Sequence, residues 1–202
     1  MALMQKQKMQ DIAQDKEQFR EMARTLRAKA AARLQGKGAE SIAKNILNAG
    51  IIPKKAIIGG YVARGAEADI MPLLEALSTS GHACALPRIE EKNHVMRFHK
   101  WASGDALLHG AYGIKEPDCA MEMTPPTILL IPLLGFTKSG IRLGHGFGYY
   151  DRYIGKWRNQ MLMTIIGIAY EEQMFDTLPC EEHDQYMDYI ATEKQCRKIT
   201  DK

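Results

Sequence analysis

The chain has 202 residues, 46% of them apolar, and a formal net charge of +3. That is enough apolar chain for one sizeable core, and too little net charge for a dedicated nucleic-acid binder. Cys84, Cys119, Cys180 and Cys196 show no Cys-x-x-Cys spacing, which argues against a zinc site or a disulfide framework and for thiols in a reducing, cytoplasmic setting. The first residues lack the apolar core of a secretory signal, and no apolar run is long enough for a membrane span. Charge is unevenly spread: residues 1–60 hold twelve Lys/Arg against five Asp/Glu, and residues 61–202 hold fifteen against nineteen. A basic first segment of this kind serves a polyanion or a nucleotide phosphate, or is simply a solvated helix face.

In chain order, residues 1–15 read as a flexible extension with a frayed, methionine-rich head at 1–9. Residues 16–198 read as one domain. Apolar residues at helical spacing predict a long helix over 10–34: Ile12, Phe19, Met22, Ala23, Leu26, Ala30 and Leu34. At about 100° per residue, Lys16, Arg20, Arg24 and Arg27 fall on one flank of that stripe. Gly36 and Gly38 end it, and a second helix is expected over 39–48. Strands are expected over 56–62, 84–89 and 95–101. Asp69 caps a helix reaching residue 79, and residues 105–108 suit a helical turn. The apolar run 127–136 contains a strand over 128–131, continuous enough to be buried on both faces. A helix over 149–158, a buried strand over 164–169 and a short last strand over 189–192 follow. This alternation predicts an α/β fold: a three-layer α/β/α sandwich with a mostly parallel sheet and the long N-terminal helix packed on it.

The stretch Arg142-Leu143-Gly144-His145-Gly146-Phe147-Gly148-Tyr149-Tyr150-Asp151-Arg152 carries the most chemistry. Glycine at every second position bares the backbone of a loop, so that N–H groups can close on an anion with a helix N-terminus behind them. Arginines flank it, and Asp151 is a hard oxygen ligand of the kind Mg²⁺ takes. The spacing matches neither the P-loop nor the dinucleotide-binding fingerprint. A tight strand–helix connection would need glycine too, but not three glycines with two arginines and an aspartate.

The run Ile128 to Arg152, ending in Arg-Leu-Gly-x-Gly-x-Gly-Tyr-Tyr-Asp, resembles the signature of the 5-formyltetrahydrofolate cyclo-ligase family, the 5,10-methenyltetrahydrofolate synthetases. Lys16-x-x-x-Arg20 looks like that family's ATP element, and Glu67-Ala68-Asp69 is similar to its folate element. Leu86-Pro87-Arg88-Ile89, Gly113-Ile114-Lys115-Glu116-Pro117, Ile166-Gly167-Ile168-Ala169 and His183-Asp184 match family segments in the same order. His145 and Phe147 depart from the family pattern, in which the second of these positions is often Gly or Lys.

The resemblance implies an ATP-dependent ligase that forms a C–N bond, turning 5-formyltetrahydrofolate into 5,10-methenyltetrahydrofolate with release of ADP and phosphate. ATP is the co-substrate and Mg²⁺ the metal. The implied ATP-side residues are Lys16, Arg20, Arg142, Leu143, Gly144, His145, Gly146, Phe147, Gly148, Tyr149 and Tyr150. The implied folate-side residues are Val62, Glu67, His145, Gly146, Phe147, Gly148 and Tyr149. Arg142, His145 and Tyr149 stand nearest the chemistry, and Asp151 and Asp184 are the implied metal ligands. No protein nucleophile is needed, and no Ser/His/Asp or Cys/His pattern is present. Partners are expected to be the two small molecules, with no nucleic acid or membrane, and the chain a monomer or weak homodimer. The alternative is a non-catalytic nucleotide or sugar-phosphate binding module of similar fold.

Overall fold

Two continuous apolar runs, Ile128–Pro132 and Thr164–Ile168, lie side by side in the middle of a sheet, because strands covered on both faces need no polar alternation. The computed structural model describes residues 2–118, 121–123 and 125–200, with side chains from residue 11 onward except at 91 and 111. Cys119 and the side chains of the methionine-rich head lie outside the described residues.

The elements are α1 (Ala2–Leu34), α2 (Lys37–Asn48), β1 (Ile57–Gly59), α3 (Met71–Thr79), β2 (Ala83–Glu90), β3 (Val95–Trp101), β4 (Leu107–His109), β5 (Lys115–Pro117), β6 (Ile128–Pro132), β7 (Gly135–Phe136), β8 (Arg142–Leu143), α4 (Tyr149–Trp157), β9 (Thr164–Ile168), β10 (Tyr189–Ala191) and β11 (Cys196–Lys198). Seven strands form one sheet in the order β11-β10-β9-β6-β1-β2-β3. The pairs from β10 through β2 are parallel, and the two edge strands β11 and β3 are antiparallel.

Residues two apart share a face of a strand, and the core divides accordingly. Ile58, Leu86, Ile128, Leu130, Ile166 and Ile168 pack with Ala30 of α1, Ile42 and Ile46 of α2, and Leu73, Leu74 and Leu77 of α3. Ala85, Leu129, Ile131 and Ile165 face the other way, onto Tyr149, Tyr153 and Ile154 of α4. The three-layer α/β/α architecture is therefore the expected one. A third apolar cluster sets the site. Ala23 of α1, with Phe19 beside it, packs on Leu134, Leu143 and Leu178, which seats α1 against the small β7–β8 hairpin.

Several boundaries differ from the sequence reading. The helix expected from residue 10 begins at Ala2, since no Gly or Pro interrupts residues 2–34, so residues 2–15 continue α1. Gly36 sits in the left-handed region (φ 84°) as the N-cap of α2, and Gly38 belongs to α2 instead of ending α1. The turn expected at 105–108 is instead strand β4, paired with β5. The strand expected over 56–62 stops at Gly59. The run 127–136 is two strands, broken after Pro132, so the glycine loop leaves β8 of the hairpin and not β6 directly.

Leu143 is almost fully buried in the α1 cluster. Leu143→Ala is expected to cost roughly 2–5 kcal/mol of unfolding free energy, as for other buried Leu truncations. Denaturant titration measures it, and a loss well below that range would show that α1 does not depend on this contact.

Candidate functional site

All parallel strands present their carboxyl ends to one rim, where α/β folds place ligands. At that rim lies a cleft of about 210 Å³. Every site residue implied by the family resemblance lines it: Lys16, Arg20, Val62, Glu67, the loop from Arg142 to Asp151, and Asp184; Arg24 of the basic flank lies outside it, paired with Glu17. Its apolar walls come from Pro87 and Ile89 of β2, Met96 of β3, Ile114 and Pro132.

Helix α1 supplies one wall. Phe19 meets Phe175 edge-on, with ring centroids 5.5 Å apart, so the basic flank one step around the helix faces the cleft. Lys16 Nζ donates to Glu181 Oε2 at 2.6 Å and to Asp184 Oδ2 at 2.7 Å. Burial alone would lower the Lys16 pKa, but hydrogen bonds and charge from the two carboxylates outweigh it and hold the ammonium above its ordinary 10.5. Burial alone would likewise raise the Asp184 pKa, yet Lys16 and the Glu181 backbone N–H bring it below 3.8. Arg20 Nε donates to the Gly144 carbonyl at 3.0 Å. Arg27, about two turns further along the helix, reaches Glu67 Oε1 at 3.2 Å.

The hairpin supplies the opposite wall. Successive residues of a strand point to opposite faces, so Leu143 enters the α1 cluster while Arg142 turns into the cleft. Asp151 Oδ1 stands 2.5 Å from Arg142 Nη2 and also accepts the Gln185 N–H at 3.1 Å. Arg142 is thus ion-paired through Nη2, while its buried Nε has no hydrogen-bond partner among the described residues. A buried guanidinium with donors to spare is a seat for an anion.

Each of the three glycines faces a different arginine. A Cβ at Gly144 would stand 3.1 Å from Arg142 Nη1, one at Gly146 3.3 Å from Arg20 Cζ, and one at Gly148 2.8 Å from Arg152 Nη1. Gly148 is also the N-cap of α4, in the left-handed region at φ 64°. Three cations and a helix N-terminus thus surround bare backbone, an arrangement suited to phosphate.

Above the loop, Phe147, Tyr149 and Tyr112 form a cluster of rings. Phe147 lies 5.1 Å from Tyr112 at an interplanar angle of 33°, the hydroxyls of Tyr112 and Tyr149 are 3.0 Å apart, and the Arg152 guanidinium sits 5.2 Å over the Tyr149 ring. Phe147 is half exposed, so one face of this cluster is available to a planar ligand. Glu67 is held by the Arg64 N–H at 2.8 Å, by Arg27 and by His145 Nε2 at 3.1 Å. Burial, then the charge of Glu67, pushes the Tyr150 phenol well above its ordinary value, so it is a neutral donor at physiological pH.

The family model described as the 5-formyltetrahydrofolate cyclo-ligase family matches residues 12–193. The chain belongs to the 5-formyltetrahydrofolate cyclo-ligase family. It is 28% identical over 176 residues to the 5-formyltetrahydrofolate cyclo-ligase of Haemophilus influenzae, covering 85% of this chain and 94% of that one. Its fold is similar to that of the Aquifex aeolicus 5,10-methenyltetrahydrofolate synthetase, with a TM-score of 0.74, 26% identity, and coverage of 93% of this chain and 94% of the other. The Mycoplasma pneumoniae 5,10-methenyltetrahydrofolate synthetase is similar at a TM-score of 0.66 and 25% identity, over 89% and 99% of the two chains.

Within this cyclo-ligase chain, the two implied metal ligands are each paired with a cation. Asp151 pairs with Arg142, not with its neighbour Arg152. Asp184 pairs with Lys16, and the donor atoms gathered within 4.8 Å are those of Glu181, His183 and Asp184, without Asp151. Sequence reasoning passed over Glu181, whose signal was an acidic pair three residues apart around His183, and Tyr112, which adjoins the segment 113–117.

Gly148→Ala would place a Cβ against Arg152 in a left-handed conformation, and is expected to cost about 1–2 kcal/mol, read from thermal or denaturant unfolding; no cost would mean that the loop relaxes freely. The Asp184 carboxyl is held below its unfolded value, so its contribution to stability is full above that value and is lost as pH falls through the folded one. Asp184→Asn is therefore expected to flatten the acid limb of a stability–pH profile below about pH 4. An unchanged limb would contradict the Lys16–Asp184 pairing.

Proposed function

We propose that this protein converts ATP and 5-formyltetrahydrofolate into 5,10-methenyltetrahydrofolate, ADP and phosphate. The observation that carries the reading is the convergence of Arg20, Arg142 and Arg152 on the three loop glycines, in the same cleft as an aromatic cluster and the buried Glu67. A polyphosphate and a conjugated ring system find complementary surfaces side by side. Membership of the cyclo-ligase family supports reading the ring as a reduced folate and the polyphosphate as ATP.

The formyl oxygen on N5 is a poor leaving group. The formyl oxygen attacks the γ-phosphorus, the bond to the β,γ-bridging oxygen breaks, and ADP departs. N10 then attacks the activated formyl carbon, the ring closes, and the formyl oxygen leaves as part of phosphate as N10 loses its proton. Phosphoryl transfer asks a protein mainly for positioning and charge stabilisation. Arg142, with unused donors, and Lys16 and Arg20 hold the phosphates against the loop from Gly144 to Gly148. Val62, Glu67 and the rings of Phe147 and Tyr149 hold the folate, and His145 fixes Glu67. Tyr149 and Tyr150 wall the junction between the two substrates and keep water from the activated intermediate.

The carboxylates of Glu181 and Asp184 form a hard-oxygen donor set with an ammonium already seated on it, which fits Mg²⁺. Glu181 and Asp184 would hold the ion, and Asp151, which the family resemblance implied as a ligand, would join them only by leaving Arg142. When bound, Mg²⁺ supplies neutralisation of phosphate charge. Residues 16–198 contain all of the cleft, and the chain is taken to act as a monomer or weak homodimer. The described helices include none long and apolar enough to cross a membrane, and we place the reaction in the cytoplasm.

Incubation with 5-formyltetrahydrofolate, Mg²⁺ and ATP is expected to give the near-ultraviolet absorbance of the methenyl product, and no ATP-dependent signal would end this reading. Arg20→Ala is expected to raise KM for ATP more than KM for the folate; an unchanged ATP dependence would reduce Arg20 to a loop support. Asp151→Asn is expected to lower kcat about 10²–10³-fold with the fold retained by circular dichroism. Near-normal turnover would remove Asp151 from the reaction.

A further inference from the structure

The carboxylates of the cleft already have cationic partners. Glu67 faces Arg27 and His145, Asp151 faces Arg142, and Glu181 and Asp184 share Lys16. The last group is the one in which two carboxylates share one enclosed cation: side-chain exposure is 9% for Lys16, 15% for Asp184 and 24% for Glu181. Its ammonium sits at 2.6 and 2.7 Å from two oxygens that, with the His183 nitrogen, lie within 4.8 Å of one another. Lys16 thus occupies a position that suits a small cation. The lysine stem is long and flexible and carries a point charge, so it can change partners by rotation, unlike the seated Arg142 fork.

We propose that Lys16 and a divalent metal are alternative occupants of the Glu181–Asp184 carboxylates, so that metal and nucleotide enter the cleft together and neither binds well alone. This rests on the function proposed above, in which Lys16 serves the phosphates and Asp184 the metal. A metal arriving alone must displace the ammonium and leave it enclosed without a counter-charge. A nucleotide arriving without metal can take Lys16 only by leaving two carboxylates uncompensated beside its phosphates. Leaving one partner of an enclosed ion pair unmatched is strongly unfavourable. When both arrive, Lys16 passes to phosphate and the carboxylates pass to metal, and every charge keeps a partner. The coupling is reciprocal by linkage: nucleotide tightens metal binding by the factor by which metal tightens nucleotide binding.

The test uses the full chain, with Mn²⁺ followed by electron paramagnetic resonance and a non-hydrolysable ATP analogue by calorimetry. Wild-type protein is expected to bind Mn²⁺ about tenfold or more weakly without the analogue than with it. Lys16→Met is expected to bind Mn²⁺ alone about tenfold or more tightly than wild type, because the competing ammonium is gone. Asp184→Asn is expected to show the mirror image, binding the analogue in EDTA more tightly than wild type because Lys16 is released. It decides the matter should Lys16→Met fail to fold. No gain in Mn²⁺ affinity in folded Lys16→Met, no gain in metal-free analogue affinity in Asp184→Asn, or wild-type analogue binding indifferent to Mn²⁺ would overturn the coupling alone. Wild-type protein that binds no analogue under any condition would overturn the proposed function and the coupling with it.

Discussion

Before metal and nucleotide bind, Lys16 joins the first helix to the last long loop, 165 residues away at Glu181 and 168 at Asp184, and so closes one side of the cleft. The parallel sheet supplies a rim of carboxyl strand ends but no wall over it. Helix α1 supplies the wall, seated by Phe19 and Ala23 on the β7–β8 hairpin and fixed in position along the cleft by its basic flank. Apolar packing sets which face of α1 meets the body. Charge sets the register, because enclosed ammonium and carboxylate groups are tolerable only when matched. The same junction joins the ends of the domain.

The glycine loop follows a similar economy. Its glycines do more than allow tight turns. Each occupies a place where a guanidinium comes close to the backbone, and a side chain there would meet the arginine before any ligand did. The three cations beside the loop come from three different elements: α1 gives Arg20, β8 gives Arg142 and α4 gives Arg152. The residues between the glycines are then free to serve other ends. His145 reaches across to Glu67, and Phe147 joins the rings of Tyr112 and Tyr149. The two positions at which the loop departs from the family pattern are the ones that tie it to Glu67 and to the aromatic cluster.

Much of this was legible in the sequence, for definite reasons. The runs at Ile128–Pro132 and Thr164–Ile168 are strands because they are covered on both faces, and the 3.6-residue spacing of α1 put Lys16, Arg20 and Arg27 on one flank. The β4–β5 and β7–β8 hairpins were not legible. They are two or three residues long, and tertiary neighbours hold them: Glu116 accepts the Ile89 N–H, and Phe136 accepts the Phe175 N–H. The residues that line the cleft could be named one by one, but not their partners. Nothing local to Asp184 signals Lys16, and nothing local to Asp151 selects Arg142 over the adjacent Arg152. Ion pairing across a cleft is a property of the folded chain.

The account turns on where the formyl oxygen goes. If the cleft brings the γ-phosphoryl of ATP onto that oxygen, 5-formyltetrahydrofolate labelled with ¹⁸O in the formyl group should deliver its label to the released phosphate, one atom per turnover, by mass spectrometry. Label recovered in water, with unlabelled phosphate, would contradict it.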